Sequence, residues 1–313
     1  MPSFSPLYTF ARCLDLEQRP YEDHRIGASP QTRKRVAKLY GHLPRTVENS
    51  NARNWPVYFD ENDDLVASSL RTRMYCKVYY EIEVIAALNS HVIPAATFPI
   101  FTQFQKAPNG VIEFPAPSES PLDEQHCVQI CGYDSDAGYF TFANSWGKSW
   151  GDEGFGYLPY GYLQDYCTDI TMDVGMGEIP LREGLAAITT GARKYYRLIT
   201  VFPAPFQRTF YLIEIFSDVG SNEVAWAICF GNEHLLEVEE FFVSPTHRRQ
   251  GHARHLLESL EYLAASQRRT FRIHVPIIDC ITLKQDIHDI AFKLGLVVSA
   301  RALYRTGKTL VPY

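Results

Sequence analysis

The sequence predicts an α+β fold built as two consecutive domains, and three observations predict it. The chain has 313 residues, about twice the usual ~150-residue domain. Period-two apolar runs and helical apolar stripes are mixed along it, rather than alternating in strict strand–helix units. The texture also changes after Tyr166. Asp173 to Glu183 (DVGMGEIPLRE) sets two glycines and a proline among charges. That linker signal places the border near 180 and the domains at 1–178 and 179–313.

Composition narrows the classes. Apolar residues make up 46% and charged residues 21%, which excludes disorder, collagen-like repeats and coiled coil. A net charge of −6 argues against a nucleic-acid partner. No apolar run approaches the ~18–20 residues of a membrane helix. The opening MPSFSPLYTFARCLDL lacks a basic segment followed by an apolar one, so no secretory signal is read and a cytoplasmic location is expected. Seven cysteines form no framework, which suits reduced thiols. Cys127 and Cys131 lie four apart with no second Cys/His pair nearby. They read as small buried hydrophobes rather than a zinc half-site, and no metal is expected.

Residues 1–60 alternate helical and loop signals. Ser29-Pro30 starts a helix through Arg33, Val36, Ala37 and Tyr40 that Gly41 stops. A short apolar helix at 83–90 and a strand-like run at 92–98 follow. The proline-rich stretch 105–125 reads as a surface loop. Residues 126–133 and 139–146 form a hairpin around the five-residue turn 134–138. After the linker come strand-like runs at 195–202, 209–216, 223–230 and 235–243. A helix at 251–266 carries Leu256, Leu257, Leu260, Leu263 and Ala264 on one face. A strand at 270–277, a helix near 284–294 and a strand around 300–305 complete the pattern.

The densest local signal is HCVQICGYDSDAGYFTFANSWGKSWGDEGFGYLPYGYL, residues 126–163. With that turn closing the hairpin, Tyr133 faces Tyr139, His126 faces Trp146, and Asn144 lies diagonal to His126 on the same face. A histidine held by an amide is suited to activate a thiol, because the amide fixes the ring tautomer and the ring takes the thiol proton. Trp146 can shield that bond from water. A lone histidine would more often be structural, but the whole string resembles the His and Asn segments of papain-like cysteine peptidases. Their pattern is matched by His126, Gly132, Tyr133, Asn144, Ser145, Trp146, Gly147, Trp150, Gly151 and Gly154. Cys127 stands where Ala is usual and Phe155 where Tyr is usual. The segments FSPLYTF, GASPQTRKRVAKLYGHLP and 83–104 extend the resemblance over roughly residues 3–165.

The resemblance implies a partial papain-like domain, a right-hand β-sheet lobe with helices, lacking its nucleophile segment. The family's cysteine stands in a Cys-Gly-Ser-Cys-Trp-like helix start ~130–150 residues before the His and Asn. Counting back from His126 reaches Met1 or earlier. Only Cys13 and Cys76 precede His126, and neither is followed by Gly-x-Cys or preceded by the family's oxyanion-hole Gln. Three explanations stand open: a start upstream of Met1, a partner chain supplying the cysteine segment, or a degenerate domain kept for binding. This chain alone is expected to show little or no proteolysis.

A second signal is LLEVEEFFVSPTHRRQGHARHLL, residues 235–257. A strand ends at Val243, Ser244-Pro245 breaks it, and Arg248-Arg249-Gln250-Gly251-His252-Ala253 opens a helix. Backbone N–H groups at a helix start favour anions, and Gly251 and Ala253 allow close approach. A solvated basic turn is the plain alternative. In context the segment resembles the acetyl-CoA motif of GNAT-family N-acetyltransferases, Arg/Gln-x-x-Gly-x-Gly/Ala, matched by Arg248, Gly251 and Ala253. Lys293-Leu294-Gly295-Leu296 resembles the family's Lys-Leu-Gly-Phe close, and the likeness covers about 195–310.

The GNAT resemblance implies a mixed sheet flanked by helices, with acetyl-CoA as acyl donor and Val243 and 248–253 as its binding residues. Backbone amides from Arg249 to Ala253 would hold the pyrophosphate. Where the family often has a Tyr general acid stands Ala291, with Tyr304 the nearest alternative. Glu237, Glu239 and Glu240 stand on the strand before the loop, and alternation puts 237 and 239 on one face. Glu237 occupies the spacing some members use for a base, with a structural or solvated glutamate as the other reading. The short gap between 202 and 209 leaves little room for the family's acceptor-binding helices.

The first functional expectation is an acetyl-CoA-dependent N-acyltransferase with a papain-like domain presenting a peptide or protein acceptor. The second is a cysteine peptidase completed by a cysteine from elsewhere. The third is a non-catalytic sensor of peptide or CoA.

Overall fold

The computed structural model describes residues 3–22, 27–46, 48–51, 53, 55–122, 125–176, 186–190, 193–203, 209–218, 223–231, 234–274, 297–298 and 302–304. The chain divides into two compact units, Met1–Glu178 and Ile179–Tyr313.

The first unit begins with α1 (Pro6–Glu17) and α2 (Pro30–Leu39), each opened by a Ser-Pro pair. Ser5 Oγ accepts the Tyr8 N–H at 3.1 Å and Ser29 Oγ accepts the Thr32 N–H at 3.0 Å, satisfying first-turn donors. Gly41 then leaves α2 at φ +93, tight against the Ala67 carbonyl. There follow α3 (Glu61–Ser68), β1 (Thr72–Lys77), α4 (Glu81–Asn89), β2 (Ala95–Pro99) and α5 (Thr102–Lys106). The unit closes with β3 (Gln125–Asp134), β4 (Tyr139–Ala143), β5 (Phe155–Pro159), α6 (Tyr160–Tyr166) and β6 (Asp169–Met176). Its sheet runs β1-β6-β2-β3-β4-β5. Phe98, Phe104, Phe140, Phe142, Leu158 and Tyr162 are fully buried. Each such side chain contributes roughly 1.5–3 kcal/mol by leaving water.

Three expectations change here. The linker reading fails for Asp173 to Met176, which are the end of β6, paired with Tyr75, Met74 and Thr72 of β1. Asp173 is charged because Lys34 of α2 meets it at 3.0 Å with only 2% of its own side chain exposed, and a strand that needs a buried ion pair resembles a polar linker in sequence. Cys127 and Cys131 are exposed rather than buried, since strand alternation turns Val128 and Ile130 into the core instead. Loop 105–125 is pinned in places, with Ala107 and Ile112 each 1% exposed.

His42 sits beside this ion pair, 7% exposed, its ring 4.8 Å from that of Phe4. Burial holds its imidazole below the usual range; Asp173 opposes this and Arg33 and Lys34 add to it. The unfolded chain therefore takes up this proton first as pH falls. Stability is full above about pH 6.5 and is lost as pH drops toward the folded value, by about 1.4 kcal/mol per unit of depression. A His42→Gln variant is expected to lose less thermal stability than wild type on acidification. Parallel melting curves for the two proteins across this range would refute it.

The second unit has β7 (Ala186–Thr190), β8 (Arg193–Pro203), β9 (Thr209–Phe216), β10 (Glu223–Gly231) and β11 (Leu235–Val243). These are antiparallel neighbours in succession. Then come α7 (His252–Ser266), β12 (Thr270–His274), β13 (Val297–Val298) and β14 (Ala302–Tyr304). Strand β12 lies parallel to β11, so α7 is the crossover that a parallel pair requires. Leu256, Leu257, Leu260, Leu263 and Ala264 of α7 pack on Ile213, Ala225, Ala227, Val238 and Phe241. On the other sheet face Trp226 stacks on Phe242 at 4.2 Å. The helix expected near 284–294, with Ala291 and Lys293–Leu296, lies outside the described residues, as does the end of the strand expected at 270–277.

Candidate functional site

In the first unit the hairpin turn has four residues rather than five, so Asp134, not Tyr133, faces Tyr139. Asp134 Oδ1 accepts the Asp136 and Ala137 N–H groups, which tightens the turn. That slip would turn every later side chain over. A bulge between Ile130 and Gly132 inserts Cys131 and restores the register, with Ile130 opposite Phe142 and Gln129 opposite Ala143. His126 and Asn144 thus reach one face after all.

His126 Nε2 and Asn144 Oδ1 lie 2.7 Å apart. Asn144 Oδ1 also accepts the Ser145 N–H at 2.8 Å, which identifies that atom as the oxygen. The His126 proton therefore sits on Nε2, and Nδ1 is left as the basic nitrogen. Asn144 is held by its own N–H, which donates to the Gly154 carbonyl at 2.9 Å. The Trp146 ring lies 4.7 Å from that of His126, with Phe104 edge-on to both. This geometry can accept a proton and stabilise the resulting imidazolium.

No thiol is placed against Nδ1 among the described residues. Cys13 is 1% exposed and burial pushes its thiol up to about 12. Cys76 lies on β1, three strand spacings from β3, or ~14 Å. Cys127 neighbours His126 in sequence but points to the opposite face. Cys131 donates to the Thr141 carbonyl and Cys167 to that of Thr97.

In the second unit, β11 ends at Val243, a 3₁₀ turn spans Pro245–His247, and Arg249 (φ +59) and Gly251 (φ +91) carry the chain into α7. Arg248 Nε donates to the Val243 carbonyl at 3.3 Å, which clamps the loop to its strand. The Tyr195 hydroxyl reaches the Gln250 carbonyl at 3.5 Å. Gly251, the N-cap, supplies no side-chain cap, and the first turn holds no acidic residue. The first N–H groups of α7 have no intrahelical acceptor and carry the positive end of the dipole. Among the described residues, a Cβ built on Gly251 would meet nothing nearer than His255 Nε2 at 3.9 Å. Arg249 beside it is exposed. Val243, His252 and Ala253 have buried side chains, so they can offer a ligand backbone groups alone.

The glutamates fall differently from simple alternation. Cys229 pairs with Val238 and Ile228 with Glu240, so Glu239 is the extra residue of a bulge. Val238 and Phe241, three apart, both join the α7 core, so the strict alternation of β11 breaks between them, after Glu237. Glu237 is ion-paired with Arg272 of β12. Tyr304 is in β14, opposite Arg272. Neither bulge carries a strong sequence signal.

Residues 57–173 match the papain family cysteine protease model and residues 192–276 the acetyltransferase (GNAT) family model. No curated protein matches. Among solved structures, xylellain, a cysteine protease from Xylella fastidiosa, is 19% identical over 57% of this chain and 72% of its own, with a TM-score of 0.47. Digestive procathepsin L 3 of Tenebrio molitor larval midgut is 20% identical over 55% of this chain and 56% of its own, TM-score 0.43. The anti-CRISPR protein AcrVA5 is 14% identical over 26% of this chain and 90% of its own, TM-score 0.23. The chain combines a papain-like C1 peptidase domain with a GNAT acetyltransferase domain, and the latter argues for acyl transfer with acetyl-CoA. Among the described residues no helix is long and apolar enough to cross a membrane, and no His/Cys/Asp/Glu group could hold a metal ion.

Proposed function

We propose, from a chain that joins a papain-like domain to a GNAT-type domain, that its activity is acetyl-CoA-dependent N-acylation in the cytoplasm. In this reading 1–178 and 179–313 act as separate domains, and the papain-like one presents a peptide or protein acceptor. The observation that carries the reading is the opening of α7, an uncapped helix start with free space on Gly251. Backbone amides of 249–253 would hold the diphosphate, with Arg249 adding charge. Acetyl-CoA supplies an activated thioester carbonyl. The β11–β12 pairing runs from Leu235 to Val238. Glu237 is assigned the amine-deprotonating role by its position on β11, which it would take up on release from Arg272.

Thiol release from acetyl-CoA, measured with a library of peptides bearing free amines, tests the reading. Acceptor-dependent release supports it. Its absence together with a flat thermal response to millimolar acetyl-CoA would exclude it.

The His126–Asn144 contact favours a second reading, a cysteine peptidase completed by a thiol segment from outside these residues. Adding a partner that carries such a segment should then produce peptide hydrolysis that His126→Ala removes. Hydrolysis that survives His126→Ala would rule this reading out.

A further inference from the structure

We draw no further inference here: the strongest candidate, the face of β3, β4 and β5 that leaves Cys127, Gln129, Cys131 and Phe155 exposed, carries nothing because no feature of the described residues shows what covers it.

Discussion

Acetyl-CoA is expected to raise the thermal midpoint of the wild-type chain and to leave that of a Gly251→Glu variant unmoved. A ligand that binds only the folded state at a hundred times its Kd stabilises it by about 2.7 kcal/mol, a readily measured shift. Glutamate places a carboxylate in the open space beside the α7 N-terminus, where the ligand's phosphates would be repelled. Its backbone must also adopt φ +91, which costs a non-glycine residue about 1 kcal/mol or more. Gly251→Ala separates the two effects, since it carries the strain without the charge. The alanine variant should start from a lower midpoint and keep much of the shift. A full shift in Gly251→Glu would place the ligand elsewhere.

The second large effect is expected at Gly151. A Cβ there would lie 2.4 Å from the Phe155 carbonyl oxygen and 3.3 Å from the Gly110 Cα, at a φ of +59. Neither neighbour is a side-chain tip that can swing aside; both are backbone. Gly151→Ala should therefore destabilise the first unit by roughly 3 kcal/mol, combining overpacking with left-handed strain. The turn it distorts carries Gly154, whose carbonyl holds the Asn144 N–H, so the His126–Asn144 contact should loosen with it. Urea unfolding of the two proteins checks the magnitude, and an unchanged midpoint would refute it. The acetyl-CoA shift should persist in Gly151→Ala if the two units act as separate domains.

Much of the candidate site was legible because its residues are local and chemically particular. His126 and Asn144 belong to one hairpin, and residues 248–253 are contiguous, so short spacing sufficed to bring each set together. The hairpin also shows the limit. A shorter turn and an unforeseen bulge at Cys131 offset one another, and the right face was reached through a partly wrong register. A bulge depends on how a strand meets both neighbours, which no local pattern records. The same holds at Glu239, the extra residue where β11 meets β10.

Local sequence alone determined the helix starts at Ser5 and Ser29, the buried face of α7 and the anion-favouring opening at Gly251. Each of these depends on neighbours a few residues away. Only the tertiary structure decided that Asp173 belongs to a strand through Lys34 and that Arg272 engages Glu237. Burial and strand pairing set those partners. The energy of a charged or polar side chain depends on which groups surround it after the chain has packed.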